Sequence, residues 1–205
     1  IASCLVGSEM CIRDRVWAAR YLSMTENRRL IGSFTHGSMA NALLHGIGAQ
    51  VSHPDRQVIA LAGDGGLAMM LGELLTLTQN KLPVKTIVVN NSSLNFVELE
   101  MKAAGFVNYG TALDNPSFAA IAEAMGIFAR RVENSEDLPD AVREVLAHDG
   151  PALLDVVTER QELSMPPAIE AAQVKGFALY AIRTVMSGKG DELLDLARAN
   201  WRQFL

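Results

Sequence analysis

The chain has 205 residues, a formal net charge of −5 at pH 7, and 49% hydrophobic and 20% charged residues. This balance excludes a mainly disordered chain. The acidic net charge argues against a nucleic-acid partner, because nucleic-acid-binding domains carry a basic surface. No run of about 18 apolar residues occurs, so the sequence predicts no transmembrane helix.

The first 15 residues differ in character from the rest of the chain. Residues 1–15 contain both cysteines, begin with Ile1 and show neither helical nor strand periodicity. They lack the basic start and the apolar core of a signal peptide. We interpret this segment as foreign sequence from a cloning or assembly junction and exclude it from the predicted fold. The rest of the chain has no cysteine, so we expect no disulfide or thiolate metal site there.

From residue 16 onwards, predicted helices and strands alternate. In chain order we predict a helix over 16–22, a helix over 39–50, a strand over 57–62, a helix over 67–81, a strand over 84–89, a helix over 94–104, a helix capped by Ser117 up to 125, a strand over 128–132, a helix capped by Ser135 up to 147, and a strand over 151–158. Apolar strands separated by helices indicate parallel pairing. The pattern therefore predicts a doubly wound α/β domain over 16–160, with helices on both faces of the sheet.

Residues 161–205 are predicted to form a separate helical tail. Helical periodicity covers 168–186 and 191–205, and Ser187-Gly188-Lys189-Gly190 separates the two helices. The last helix carries its apolar side chains on or near one face: Leu193, Leu194, Ala197, Trp201, Phe204 and Leu205. This helix could dock on the domain or bind lipid. Its charges cancel, with Lys189, Arg198 and Arg202 against Asp191, Glu192 and Asp195, so lipid binding would depend mainly on apolar burial.

The clearest chemical motif stands at the ends of two predicted strands. Gly63-Asp64-Gly65-Gly66 follows the strand over 57–62, and Asn90-Asn91 follows the strand over 84–89. Carboxyl ends of neighbouring parallel strands open into one crevice. Glycines allow the backbone to approach a phosphate, and Asp64 and Asn91 offer the hard oxygen ligands that Mg²⁺ prefers. The sequence therefore predicts a metal-bridged diphosphate site; the alternative is a tight turn and a polar strand end without function.

Gly-Asp-Gly followed after 24 intervening residues by Asn-Asn is similar to the signature of thiamine diphosphate enzymes. Beyond this motif, most of 16–202 resembles the C-terminal third of the quinone-dependent pyruvate dehydrogenases, also called pyruvate oxidases. The matching stretches are GSF (32–34), HGSMANA (36–42), GDGG (63–66), KLPVK (81–85), EMKA (100–103), KGF (175–177), SGKGDE (187–192) and NW (200–201). We expect the tail to separate the chain from acetolactate synthases and benzoylformate decarboxylases, which would share only the central motif.

The resemblance implies a role for each matching residue. Mg²⁺ would be held by Asp64, the side chain of Asn91 and the backbone carbonyl of Ser93. The diphosphate would lie against Gly65, Gly66 and the loop made of Ser92, Ser93, Leu94, Asn95, Phe96 and Val97. Gly37, Ser38 and Met39 would line the two rings of the cofactor, with Met39 as the apolar wedge that bends it. Phe96 and Glu100 would face the substrate as the candidate catalytic residues.

The resemblance also implies the reaction and the partners. We expect oxidative decarboxylation of pyruvate to acetate and CO₂, with electrons passing through FAD to ubiquinone. The activating glutamate and the FAD site would lie in domains outside this chain, so the chain alone is predicted to be inactive. The enzyme would be cytoplasmic, a homo-oligomer (a tetramer) with two chains at each active site, and would attach to the inner face of the cell membrane through its C-terminal helix.

Two other functions stay open at this stage. The first is another thiamine diphosphate enzyme, such as an acetolactate synthase or a 2-oxo acid decarboxylase. The second is a non-catalytic nucleotide-binding module of the same fold, because a fold does not determine function. A Gly-x-Gly-x-x-Gly motif after a strand would favour that module, and the sequence contains none. Reduction of a quinone or dye would distinguish the oxidase from the other enzymes.

Overall fold

The computed structural model describes residues 4–8, 18, 21–160 and 171–200. Contacts divide the chain into two units. The first unit takes residues 1–92 and 114–158, and the second takes 93–113 and 159–205. The sequence predicts that residues 93–113 belong to the α/β domain. In the structure, the contacts of these residues place them in one unit with the C-terminal helices. We describe each unit separately.

The described residues of the first unit form six strands and most of the described helices. Its strands are β1 (Cys4–Ser8), β2 (Arg28–Gly32), β3 (Gln57–Gly63), β4 (Lys85–Asn90), β5 (Phe128–Val132) and β6 (Ala152–Val157). Its helices are α1 (Asn41–Ser52), α2 (Asp64–Met69), a 3₁₀ turn (Leu71–Glu73), α3 (Leu74–Gln79), α5 (Phe118–Ala124) and α6 (Leu138–Ala147). The second unit holds α4 (Asn95–Ala103), α7 (Ala171–Met186) and α8 (Gly190–Asn200).

All six strands form one parallel sheet. The strand order is β2-β1-β3-β4-β6-β5, and every neighbouring pair is parallel. In the register of the centre, Ala62 lies beside Val88 and Ile87 lies beside Leu154. Since the strands are parallel, their carboxyl ends share one edge of the sheet. The predicted α/β fold with a parallel sheet is confirmed.

The apolar side chains of the strands sort into two clusters, one on each face of the sheet. Alternate residues of a strand point to opposite faces. Val58, Ala60 and Ala62 pack with residues of α1, α3 and α5. On the opposite face, Ala152 and Leu154 pack with residues of α6. Helices therefore cover both faces, as predicted.

The N-terminal segment contains a strand that the sequence analysis did not predict. Cys4–Ser8 form β1, which pairs with β2 on one side and with β3 on the other. The exclusion of 1–15 from the predicted fold is therefore wrong for these five residues, and β2 was not predicted either. Five residues are too few to show a reliable period. The foreign origin of 1–15 stays a prediction.

The helix predicted over 67–81 begins earlier and is interrupted. Gly63 has extended backbone dihedrals, and α2 starts at Asp64. The helix ends at Met69, a 3₁₀ turn follows, and α3 then runs from Leu74 to Gln79. Gly72 lies in the interruption, where its low helix propensity favours a break. As a result, Gly65 and Gly66 lie in the first turn of a helix rather than in a loop before it.

Of the two predicted helix caps, one is confirmed and one is wrong. The Ser117 Oγ accepts a hydrogen bond of 3.2 Å from the Ala120 N–H at the start of α5. Ser135 does not cap α6, which starts at Leu138 after Asp137. Proline is favoured in the first turn of a helix, where its missing N–H costs nothing. Pro139 was thus the better signal for this helix start.

The remaining predicted elements agree with the structure where it describes them. The strand over 128–132 is confirmed, and the strand over 151–158 is one residue shorter at each end. Ala18 and Tyr21 are helical, but the rest of 16–20 lies outside the described residues. The same holds for 161–170 and 201–205, including Trp201, Phe204 and Leu205. Among the described helices, none is long and apolar enough to cross a membrane.

In the second unit, α7 crosses α4 at very short range. A Cβ on Gly176 would lie 1.6 Å from the backbone oxygen of Ala103. Arg183 donates a hydrogen bond of 2.6 Å to the Gly105 carbonyl just beyond the end of α4. Only a residue without a side chain fits position 176, because the obstacle is backbone.

We expect Gly176→Ala to destabilise the protein by about 1–3 kcal/mol or more, because overpacking forces the two backbones apart. Gly190→Ala is the matched control, since nothing lies within 4 Å of a Cβ at that position. It should leave the free energy of unfolding unchanged or slightly raised. Urea denaturation of both variants measures the difference. Equal midpoints would show that α4 and α7 do not approach this closely.

Candidate functional site

Asp64 lies at the carboxyl end of β3 and ties this strand end to the next one. Its side chain is only 2% exposed. One carboxylate oxygen accepts a hydrogen bond of 2.8 Å from the Gly65 N–H. The other accepts one of 2.7 Å from the Ser92 N–H, two residues beyond the end of β4. The structure therefore brings together the two motifs that the sequence analysis placed in one crevice.

The loop after β4 has an unusual backbone at Ser92. This residue has φ = 55°, a left-handed conformation that non-glycine residues seldom adopt. The conformation directs the Ser92 N–H to Asp64. Asn91, just before it, is 7% exposed. Backbone strain of this kind persists where the surrounding structure enforces it, and it clusters at functional sites.

Asn115 is a further member of this site, and the sequence analysis did not identify it. Its side-chain amide donates a hydrogen bond of 2.7 Å to Asp64 and one of 3.0 Å to the side-chain oxygen of Asn90. Asn115 lies in the loop between α4 and α5, two residues before the helix cap Ser117. A polar residue in such a loop gives no signal that it reaches back to a residue 51 positions away.

The Asp64 carboxylate is buried, and no described residue places a positive charge against it. It forms no ion pair within the part of the chain that the structure describes. Burial raises the pKa of Asp64 above its ordinary value, although hydrogen bonds from Gly65, Ser92 and Asn115 partly offset this. A buried carboxylate favours a bound cation, because an uncompensated charge is costly in a low-dielectric interior.

The donor set around Asp64 fits Mg²⁺ in combination with a phosphorylated ligand. The described residues contain no group of three or more His, Cys, Asp or Glu that could hold a metal by themselves. Mg²⁺ typically uses one or two carboxylates and takes further oxygens from substrate phosphates and water. Asp64 and the amide of Asn91 are ligands of this type. The glycines of α2, Gly65 and Gly66, follow Asp64 directly.

The ring-binding residues predicted in the first unit lie in the loop after β2. Gly37 has φ = 66°, and Ala40, just before α1, also has φ = 66°. The Ser38 N–H donates a hydrogen bond of 3.3 Å to the Ser33 hydroxyl, and Met39 is half-buried. This loop belongs to the same edge of the sheet as Asp64, but β1 separates β2 from β3. The roles of Gly37, Ser38 and Met39 stay predictions.

The other predicted site residues, Ser93 to Val97 and Glu100, belong to the second unit. The Asn95 side chain donates a hydrogen bond of 2.8 Å to the Arg160 carbonyl. Leu94 and Phe96 are half-buried, whereas Val97 and Glu100 are exposed. The catalytic roles of Phe96 and Glu100 stay predictions, as does the metal-ligand role of Ser93.

The buried acid of α4 is Glu98 rather than Glu100. Glu98 is fully buried and accepts hydrogen bonds from Ser93 (2.6 Å), Lys102 (2.9 Å) and Asn108 (2.8 Å). Lys102 is itself 1% exposed and lies 5.6 Å from the centre of the Tyr180 ring. The spacing of Glu98 and Lys102, four residues apart on a helix, was the signal for this pair.

Its partners keep Glu98 ionised despite its burial. Burial by itself raises the pKa of this carboxyl, but the Ser93 hydroxyl and the Lys102 ammonium together outweigh it. The net result is a pKa below the ordinary value. Ser93 comes directly after Asn91-Ser92 in the chain. The hydrogen bond from Ser93 to Glu98 therefore holds the start of the segment that continues into α4.

Comparison with known proteins assigns the chain to one family. Residues 14–156 match the family described as thiamine pyrophosphate enzyme, C-terminal TPP binding domain; thiamine pyrophosphate (TPP) and thiamine diphosphate are one compound. YdaP of Bacillus subtilis (strain 168), provisionally named as thiamine pyrophosphate-containing, is 34% identical over 189 residues, which cover 92% of this chain and 33% of YdaP.

Acetolactate synthases are also among the relatives. The large subunit from Porphyra purpurea is 32% identical over 172 residues, 81% of this chain and 29% of that protein. Acetolactate synthase 2 from Nicotiana tabacum is 36% identical over 163 residues, 75% of this chain and 24% of that protein. The prediction that acetolactate synthases share only the central motif is therefore wrong. The chain spans about a third or less of the length of these curated relatives.

Proposed function

Because the chain belongs to the thiamine pyrophosphate enzymes, as their C-terminal TPP-binding domain, we propose that it holds the diphosphate of this cofactor through Mg²⁺ at Asp64. The observation that carries the proposal is the buried Asp64 carboxylate, which has no basic partner among the described residues and lies against the strand end at Asn91 and Ser92. Mg²⁺ would supply the missing positive charge.

Each residue of the proposed site has its own role in binding Mg²⁺ or the diphosphate. Asp64 and the Asn91 amide bind Mg²⁺, with the Ser93 carbonyl as a third ligand. The backbone at Gly65 and Gly66 receives the diphosphate oxygens. Thiamine diphosphate, when bound, supplies the nucleophilic carbon and the electron sink for cleavage next to a keto group. The residues of this chain therefore bind and orient the cofactor.

The reaction we propose is the oxidation of pyruvate. Pyruvate, water and ubiquinone give acetate, CO₂ and ubiquinol, so the two electrons released by the cleaved C–C bond reach the quinone. FAD, bound by a segment outside this chain, carries them. Met39 would shape the cofactor, and Phe96 and Glu100 would face the substrate. The resemblance of 187–192 and 200–201 to pyruvate oxidases supports this choice.

The proposed partners follow from the same resemblance. The enzyme would be a cytoplasmic homotetramer that attaches to the phospholipid surface through α8 and the residues after it. Leu194 on α8 is 56% exposed, which supports an apolar contact with lipid. Since the charges of this region cancel, the apolar side chains would supply most of the binding energy.

The second candidate is an acetolactate synthase, and it is favoured by the relatives that carry this name. Such an enzyme would combine two pyruvate molecules, release one CO₂ and form acetolactate. The sites for Mg²⁺ and diphosphate would be the same. The candidates differ in the fate of the electrons, because the synthase transfers none to a quinone.

One assay separates the two candidates. The complete polypeptide from the parent gene is given pyruvate, Mg²⁺ and thiamine diphosphate, and reduction of a ubiquinone analogue, CO₂ and acetolactate are measured with and without phospholipid vesicles. We expect quinone reduction that requires both cofactors and is stimulated by vesicles. A variant truncated before Asp191 should lose vesicle binding and the stimulation. CO₂ and acetolactate without quinone reduction would establish the synthase instead.

A further inference from the structure

A continuous line of hydrogen bonds runs from Asp64 across the carboxyl edge of the sheet. Asn115 bridges Asp64 and Asn90 with bonds of 2.7 and 3.0 Å. The Asn90 amide donates a bond of 3.0 Å to Asp155 on β6. Asp155 also accepts a bond of 2.6 Å from Arg131 on β5. All five residues belong to the first unit.

The inner members of this line are well buried. Asp155 is 0% exposed and Asn90 is 4% exposed. In addition, Asp155 accepts a hydrogen bond of 3.1 Å from the Phe118 N–H, at the first residue of α5. Asp155 therefore holds both the Asn90 side chain and the start of the helix that Asn115 precedes. These contacts fix Asn115 from two sides.

The orientation of Asp64 depends on these contacts. Hydrogen bonds from Gly65, Ser92 and Asn115 approach its two oxygens. The first two donors are backbone groups of the loops next to the site. Among the described residues, Asn115 is the one side chain that donates a hydrogen bond to Asp64. Such hydrogen bonds set the plane of a carboxylate and hence the direction of the lone pairs that it offers to a metal.

We infer that Asn115 is a positioning residue for the metal-binding carboxylate Asp64, and that Asn90, Asp155 and Arg131 hold Asn115 in place. This inference rests on the proposed function, since it requires Mg²⁺ at Asp64. It adds residues that are 24 to 65 positions distant in the chain from their partners. Loss of a hydrogen bond behind a metal ligand typically weakens metal binding about 10- to 100-fold.

The test compares Asn115→Ala with Asn80→Ala in the full chain. Asn80 also uses its side-chain amide in a hydrogen bond, to the Thr76 carbonyl at the end of α3, and has no part in the site. Calorimetry measures the Kd of Mg²⁺ at saturating thiamine diphosphate. Urea unfolding without Mg²⁺ measures stability separately. We expect a Kd at least tenfold higher for Asn115→Ala and an unchanged Kd for Asn80→Ala.

The outcomes separate the inference from the proposed function. An Asn115→Ala protein that binds Mg²⁺ as tightly as wild type overturns the inference alone. A wild-type chain that binds neither Mg²⁺ nor thiamine diphosphate overturns both. If Asn115→Ala does not fold, Asp155→Asn replaces it, because this change keeps the shape but weakens the hold on Arg131. A Kd raised at least threefold in Asp155→Asn supports the inference, and an unchanged Kd overturns it.

Discussion

Asp64→Asn should abolish the binding of thiamine diphosphate that depends on Mg²⁺. The substitution removes the buried negative charge at the end of β3 and keeps the size of the side chain. We expect the affinity for Mg²⁺ to fall more than 100-fold, a larger effect than that of changing a residue behind the metal ligand. The readout is the rise in Tm on adding Mg²⁺ and cofactor, which reports binding to the folded state.

Asp140→Asn is the matched control for this experiment. Asp140 lies on α6 of the same unit, where its side chain is 70% exposed and pairs with Arg143. Its replacement should leave the ligand-induced rise in Tm intact. Each variant is compared with its own Tm without ligand, so a loss of stability does not mimic a loss of binding. A full rise in Tm for Asp64→Asn would remove Asp64 from the metal site.

Glu98→Leu should cost about 3–5 kcal/mol of the free energy of unfolding, because the buried Lys102 loses its ion pair with Glu98. Both side chains are 1% exposed, and their charged atoms lie 2.9 Å apart. Glu100→Leu, on the exposed side of the same helix, is the control and should stay within about 0.5 kcal/mol of wild type. Urea denaturation measures both changes.

A second substitution identifies the source of this loss. Replacing Lys102 by methionine in the Glu98→Leu background removes the ammonium that lost its pair with Glu98 and should restore part of the stability. Recovery should be incomplete, because the hydrogen bonds from Ser93 and Asn108 to Glu98 stay lost. If Glu98→Leu cost no more than Glu100→Leu, the buried pair would not stabilise the second unit.

The ionisation of Glu98 gives this effect a pH dependence. Its pKa is lower in the folded state than in the unfolded chain, where a glutamate titrates near about 4.3. The stabilisation is therefore complete above that pH and is lost as the pH falls through the folded-state pKa. The measurement is the free energy of unfolding as a function of pH, from pH 6 downwards. Glu98→Gln should make this dependence less steep, by the contribution of about one titrating group.

The position of the candidate site was predictable because it depends on neighbours in the chain. Gly63-Asp64 and Asn90-Asn91 follow apolar strands directly, and parallel strands place such residues at one edge. The structure confirms that the ends of β3 and β4 meet, through the bond from Ser92 to Asp64. Ser117 was predictable for the same reason, since a cap acts within one helical turn.

The distant partners of Asn115 and the burial of Glu98 were not predictable from local patterns, although the four-residue spacing of Glu98 and Lys102 indicates that these two can pair. The partners of Asn115 lie 51 and 25 residues away, and no period links them. On α4, Glu98 and Glu100 differ by about 200° around the helix axis, so one is buried and the other exposed. The resemblance directed attention to Glu100, whereas the packing around α4 buries Glu98.

The parallel α/β class, the strand ends that carry Asp64 and Asn91, and membership in a family of cofactor-binding domains could all be predicted from the amino-acid sequence. Hydrophobic periodicity and short motifs are local properties, so they can be recognised in a single chain. The burial of polar side chains and the identity of their partners became known from the folded structure. The free energy of a buried charge depends on groups that folding brings together from distant segments, as it does for Asp64 and Asp155.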